Sequence, residues 1–423
     1  MSTGKQTVNF AGLFNNCAMK RKFLALSCFS LLFIQTKAQI LTKEDSLAAG
    51  LVARNTATVI SGYGNLKYQH DFNNNVARAN LDRVVLFIGH KFNNRISFFS
   101  ELELEDAKVV GGEPGGEISL EQAFLKFNAT KDIYITAGLF IPRIGIINEN
   151  HLPTTFNGND RPFVETFIIP STWREIGVGL YGNLRAIPGL NYSAALVNGL
   201  NSAGFKNGSG LREGRFEGSN ANASALAVTG ALLYYMKNFR IQLSGYYGGT
   251  AGLPKIEADS LQLAYGAFGT PVSLYEGNVQ YNHKGLSLKA LATVVQLPDA
   301  KRINRAYASN TPEMMLGYYG EVGYNILQLM KPSEKNLTVF VRYEKLDMNY
   351  KIPSNGIING TLNQQYIISG ITFQPVKGVT VKADYIYKKT GDINPSLVIS
   401  PFPVGQPYLK EQGFLSLGVG YSF

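Results

Sequence analysis

Segments of about ten residues in which apolar and polar side chains alternate recur from residue 58 onward, separated by turns of two sizes. In the last of them Leu415, Leu417, Val419, Tyr421 and Phe423 share one face, and Ser416, Gly418, Gly420 and Ser422 the other. Val379, Val381, Ala383, Tyr385 and Tyr387 alternate in the same way with Thr380, Lys382, Asp384 and Lys388. In water such an apolar face needs a second protein layer, whereas lipid satisfies it directly and the polar face can meet a wet lumen. A β-sandwich would alternate too, but with strands of about 5–6 residues and no regular succession of short and long connections. The expected fold is therefore all-β, a transmembrane antiparallel β-barrel.

Continued along the chain, the alternation gives sixteen expected strands: 58–70, 80–91, 95–107, 117–128, 133–141, 174–184, 190–199, 224–236, 239–248, 272–283, 286–297, 314–327, 336–347, 363–374, 379–389 and 412–423. Short connections such as 92–94 and 236–238 belong on the periplasmic side, and long ones such as 142–173, 200–223 and 390–411 outside. The alternation changes phase within 117–128 and 363–374, which is what a β-bulge produces.

The segment from Met19 has a basic start at Lys20, Arg21 and Lys22, an apolar run from Phe23 to Ile34, and Thr36 and Ala38 at cleavage-site spacing. The expected organisation is a leader over 1–38 with its true start at Met19, a short periplasmic segment over 39–57, and a barrel over 58–423. Cleavage after Ala38 removes both cysteines, Cys17 and Cys28, and with them any thiol chemistry. It also lowers the formal charge from +10 to +5, with 35 basic against 30 acidic residues. That charge is scattered, without the dense basic runs and interleaved aromatics that nucleic-acid binding needs.

The connection 142–173 is long enough to suggest a functional role. Its Ile144, Ile146, Ile147, Phe156, Phe163, Phe167, Ile168 and Ile169 need burial, while Arg143, Glu149, His151, Asp160, Arg161 and Glu165 do not. A loop folded into the barrel, with apolar residues on the wall and charges at the aperture, reconciles both sets. The string ITAGLFIPRIG followed by PSTWREIGVGLYG resembles the strand–loop–strand of sixteen-stranded outer-membrane porins related to the phosphate-selective porin O/P type. The resemblance is sharp over roughly 115–185 and at the C-terminal strand, and architectural elsewhere. It implies that the loop narrows a channel, with Arg143, Glu149, His151 and Arg161 at the pore constriction. The loop 200–223 is set apart as external, so Arg212 is expected to influence the pore little.

Glu101, Glu103 and Glu105 share a face opposite Leu102 and Leu104 and cannot face lipid. A three-residue turn at 92–94 would place Arg83 opposite Glu103 on the lumenal side. The expected lumen lining comprises these residues with Lys67, Arg342 and Lys382; Arg240, Lys289, Lys388, Glu276, Glu321, Glu344 and Asp384 are further candidates. No dense arginine/lysine ladder of the kind a phosphate channel implies is evident. Trp173, the one tryptophan, reads either as a membrane-interface marker or as a cap on the folded loop. Arg174 and Glu175 should point to opposite faces. His70, His90, His151 and His283 are dispersed, and no HExxH, CxxC or GxSxG string occurs, so neither a catalytic centre, a resident metal nor a cofactor is expected.

The functional expectation is a non-enzymatic porin of a Gram-negative outer membrane. It would pass small polar, ionic or anionic solutes by diffusion, contact outer-membrane lipids and assemble as a homotrimer. An adhesin or structural barrel and an outer-membrane hydrolase are the alternatives; both should lack single-channel conductance.

Overall fold

The computed structural model describes residues 58–106, 117–329, 334–396 and 409–423. The expected leader and segment 39–57 lie outside them. Sixteen antiparallel strands close into one barrel: β1 (Thr58–Asp71), β2 (Val76–Lys91), β3 (Ile96–Glu105), β4 (Glu117–Asn128), β5 (Ile133–Phe140), β6 (Glu175–Asn183), β7 (Leu190–Asn198), β8 (Leu226–Met236), β9 (Phe239–Gly248), β10 (Val272–His283), β11 (Leu286–Gln296), β12 (Met314–Asn325), β13 (Asn336–Lys351), β14 (Asn363–Val376), β15 (Val379–Thr390) and β16 (Glu411–Ser422). Each strand pairs with its sequence neighbours, and β16 closes on β1 with Tyr63 opposite Ser422. No edge is left unpaired, which is what lets strands cross a bilayer. Among the described residues no helix is long and apolar enough to span a membrane.

The alternation sets the two faces. On β13, Val339, Val341 and Tyr343 face outward and are exposed, while Phe340, Arg342 and Glu344 face inward and are buried. Two details of the sequence reading need correction. β2 begins at Val76 rather than residue 80, because only 72–75 are needed for the first turn. The β2–β3 turn is also longer than three residues, so Arg83 lies opposite Glu105 rather than Glu103. A two-residue shift keeps the same face inward, and Arg83 still reaches Glu103 diagonally at 3.1 Å and Glu105 at 3.7 Å.

The phase change expected in 117–128 is a bulge: Glu101 pairs with Gln122 and Leu102 with Leu120, leaving Glu121 as the extra residue. Register also shifts in the β1–β2, β12–β13 and β14–β15 pairings, the last between Phe373 and Val376.

The lumen is largely filled. Loop 141–174, which contains the short helix α1 (Phe163–Phe167), folds inward and contributes Ile144, Ile146, Val164, Ile168, Ile169 and Trp173 to an apolar core. The wall supplies Leu274, Leu291, Met315, Phe340, Leu346 and Ile386 to the same core. Burying each such aliphatic side chain stabilises by roughly 1.5–3 kcal/mol. Loop 199–225 joins this core through Leu200, Phe205 and Leu211. Helices α2 (Lys255–Leu261) and α3 (Ala300–Tyr307) lie in later long loops.

Candidate functional site: the inward loop and the cavities it leaves

Charged wall residues hold the loop. Lys382 Nζ donates to the Phe156 and Gly158 carbonyls, both at 2.8 Å. Arg342 donates to the carbonyls of Asn157 (3.3 Å) and Asp160 (3.2 Å), and pairs with Glu321 and Glu344. Glu344 accepts the Val164 N–H at 2.9 Å, Asp384 the Asn159 N–H at 2.8 Å, and Glu276 the Gly145 N–H at 3.3 Å. Lys289 also pairs with Glu321, and Lys67 with Asp160 of the loop. Lys388 is partly buried on the inner side of β15. Arg342 and Lys382, read from the sequence as lumen lining, thus face inward and lie sealed beneath the loop rather than along water.

Close approach of the loop depends on missing side chains in the wall. A Cβ at Gly418 of β16 would fall 2.0 Å from Asn159 Oδ1, and one at Gly317 of β12 would fall 2.8 Å from Val164. The small inner face of β16 is the imprint of the loop.

At the end of the loop Trp173 is fully buried, its ring centroid 4.6 Å from that of Tyr246, and its Nε1 donates to Glu175 Oε1 at 2.7 Å. It caps the folded loop; the membrane-interface reading is overturned because no face of the indole reaches the barrel exterior. Arg174 and Glu175 are both buried, against the expected opposition, because Arg174 precedes β6 and only Glu175 obeys the strand alternation.

Among the described residues, two cavities lie between the inward loop and the wall. The one toward the long loops, about 520 Å³, is lined by Lys67, Arg83, Arg161, Arg174, Arg212 and Arg215 and by Asp82, Glu103, Glu105, Asp106, Asp160 and Glu217. The second, about 130 Å³, lies toward the short turns, between loop residues Arg143, Glu149 and Leu152 and wall residues such as Phe99, Glu101, Lys126 and Tyr181. His151 lines both.

The four residues expected at the constriction are therefore distributed: Arg161 on the outer cavity, Arg143 and Glu149 on the inner, His151 between. Glu149 is clasped by Arg143 at 2.6 Å and by Arg240. Burial raises its carboxyl, but those two guanidiniums outweigh burial and hold it below its usual range. Burial, aided by Arg83, lowers Arg161 to about 10, so it stays cationic at neutral pH. Burial and then the charge of Arg215 lower Arg212 likewise to about 10.

Arg212 corrects the sequence reading. It lines the outer cavity and donates to the Thr166 and Ser171 carbonyls of the inward loop, both at 2.9 Å. Arg215 does the same to Pro170 and Thr172, and pairs with Glu217. Sequence reasoning set Arg212 outside and passed over Arg215, although Leu200, Phe205 and Leu211 just before them were a signal that the segment is not simply solvated. Glu121 was also missed. Its bulge turns it inward, where it accepts from Tyr63 (2.9 Å) and Thr172 (2.6 Å).

An uncharacterized protein of Aquifex aeolicus (strain VF5) is 31% identical over 352 residues, covering 79% of this chain and 77% of that one. The chain belongs to the family of that protein. No model of a known protein family matches it. In fold, this family member is similar to the outer membrane channel DcaP of Acinetobacter baumannii, with a TM-score of 0.52 and 11% identity over 86% of this chain and 97% of that one. It is similar also to Salmonella typhi OmpF, solved in complex with daunomycin, with a TM-score of 0.50 and 14% identity over 86% and 97% of the two chains. This chain thus has the sixteen-stranded barrel fold of outer-membrane porins.

Proposed function

We propose that this chain is a porin of a Gram-negative outer membrane, carried there by the leader read at 19–38, which lets small polar and ionic solutes diffuse between its outer and inner cavities. The observation that carries this reading is the pair of charged cavities left between loop 141–174 and the wall, with His151 lining both. A purely structural barrel gains nothing from keeping twelve charged side chains around an open volume. The outer cavity balances six bases against six acids. That balance suits zwitterionic and mixed polar solutes and does not favour a dedicated phosphate channel. Between low-dielectric walls such charges focus the field and set selectivity more strongly than surface charges do.

His151, Arg161, Arg143 and Glu149 form the constriction in this reading, and Lys67, Arg83, Glu103 and Glu105 the outer lining. Purified barrel in planar bilayers should give discrete conductance steps, and its liposomes should swell in small amino acids. Folded protein without conductance in either assay would overturn the porin and favour the adhesin or hydrolase alternative. Assembly as a homotrimer belongs to the same reading, and the mass of the folded detergent complex tests it.

A further inference from the structure

We propose that Glu101, Glu121 and His151 form a binding site for a divalent transition-metal cation of the zinc type, which pins loop 141–174 to the barrel wall where the two cavities meet. The site itself rests on the three side chains; its effect on permeation rests on the porin reading.

One ligand atom from each residue lies within 4.8 Å of the others. His151 Nε2 is 3.6 Å from Glu101 Oε2 and 3.9 Å from Glu121 Oε2. Both separations exceed a hydrogen bond, and among the described residues Nε2 has no hydrogen-bond partner although His151 is only 4% exposed. A buried imidazole nitrogen that makes no hydrogen bond and is aimed between two carboxylate oxygens at ion-pair distance can be served by a proton or by a metal ion. A zinc-type ion bonded at about 2.0–2.1 Å sets neighbouring donors roughly 3.4 Å apart. The observed spacings approach that, and the ion would draw together carboxylates that otherwise repel.

The surroundings are those of a supported site. Nδ1 of His151 faces the Asn148 carbonyl at 3.4 Å, an acceptor for the Nδ1 proton when Nε2 is given to a metal. Gln122 donates to Glu101 Oε2 at 3.0 Å, while Tyr63 and Thr172 donate to the two oxygens of Glu121. Each oxygen retains a further lone pair for a metal. The Tyr63 ring meets the imidazole edge-on at 5.7 Å. One imidazole with two carboxylates suits zinc, manganese or iron rather than thiolate-seeking ions. Glu121 reaches the cluster only because of the β4 bulge, a device that commonly re-aims a side chain at a functional site. Arg83 and Arg161 stand nearby and weaken the attraction for any cation, which favours a reversible site over a permanent one.

The ligands come from two bodies, His151 from the loop and the glutamates from β3 and β4. A bound ion therefore closes the junction between the cavities.

The test uses the full folded barrel in detergent, stripped of metal, with Zn2+ alone as the probe. Equilibrium dialysis should show one saturable Zn2+ per chain, retained in His283→Ala and lost in His151→Ala and in Glu121→Gln. Tyr63→Phe, which removes only a supporting hydrogen bond, should weaken it by about 10-fold. In bilayers Zn2+ should reduce the wild-type current reversibly and leave His151→Ala unaffected. If His151→Ala does not fold, Glu101→Gln replaces it. Absence of saturable uptake, or equal uptake by the ligand variants, overturns the site and leaves His151 as a proton-carrying contact. Saturable uptake by a barrel that conducts no ions sinks the porin and leaves the site standing.

Discussion

Lys382 of β15 points into the barrel and donates from Nζ to the carbonyl of Gly158, 2.8 Å away on the inward loop. A wall cation is thereby committed to holding the plug rather than to attracting solutes. Replacing it with methionine removes a charge-assisted bond of about 1.5–3 kcal/mol. Arg342→Met leaves Glu344 without its buried ion-pair partner and Glu321 with Lys289 alone, at a cost of about 3–5 kcal/mol. Both variants should show larger and noisier single-channel currents, Arg342→Met more so, and deleting residues 157–160 should raise conductance further. Wild-type currents in all three, with the barrel folded, would show that the loop is held by other means.

Selectivity should follow the outer cavity. Arg161→Ala and Arg212→Ala each remove a cation from the cavity that Glu103, Glu105 and Asp160 also line, so the reversal potential in a salt gradient should move toward cation preference. Arg143→Ala should move it less, because Arg143 is neutralised by Glu149 in the inner cavity. Arg302→Ala, on α3 and half-exposed beside Asp299, is the reference and should match wild type. An equal shift in Arg302→Ala would mean that the overall charge of the mouth, not the cavity, sets selectivity.

The strand positions were readable from the sequence because lipid on one side and a polar interior on the other impose a strict period of two. Even the bulge at Glu121 was visible as a slip of phase. The register at Arg83 was not, because turn length cannot be read from the alternation, and a shift of two leaves the pattern unchanged. The inward course of loop 141–174 followed from Ile144, Ile168 and Ile169, which no external loop could bury. Which inward charges line water was beyond the sequence: Arg342 and Arg83 look alike in a strand, and only the loop above Arg342 distinguishes them. The same holds for Trp173, whose partner Tyr246 lies far along the chain.

Glu165 should make the loop sensitive to pH. It sits in α1, on the loop rather than on a spanning strand, and burial pushes its carboxyl up to about 7 despite bonds from the Ile146 and Ile147 N–H groups and the Tyr319 hydroxyl, with Glu276 also nearby. The folded value lies above the unfolded one, so the contribution is fully present below about pH 4.5 and is lost as pH rises toward and through 7. The difference amounts to on the order of 3 kcal/mol. Hydrogen exchange of the loop amides should therefore be slower at pH 5 than at pH 8 after correction for intrinsic rates. Glu165→Gln should remove most of that difference, and a variant that keeps it would assign the pH response to another group.

Phe423 closes the barrel. Its N–H donates to the Gly62 carbonyl at 2.9 Å, its carbonyl accepts the Gly62 N–H at 3.2 Å, and Ser61 Oγ bonds the same carbonyl. Phe423 is 73% exposed, its ring lying over Gly62 on the outer surface, where lipid would cover it. Deleting Phe423 thus removes the last rung between β16 and β1 together with an apolar anchor at the barrel rim. Replacing it with aspartate keeps the rung and places a charge against lipid. Both changes should reduce the fraction of protein that migrates as a compact, heat-modifiable band on a gel, and the deletion should also lower the temperature at which that band converts. Phe423→Tyr, which preserves rung and ring, should behave as wild type. Full recovery of the compact band in the deletion would show that the ladder closes without its final residue.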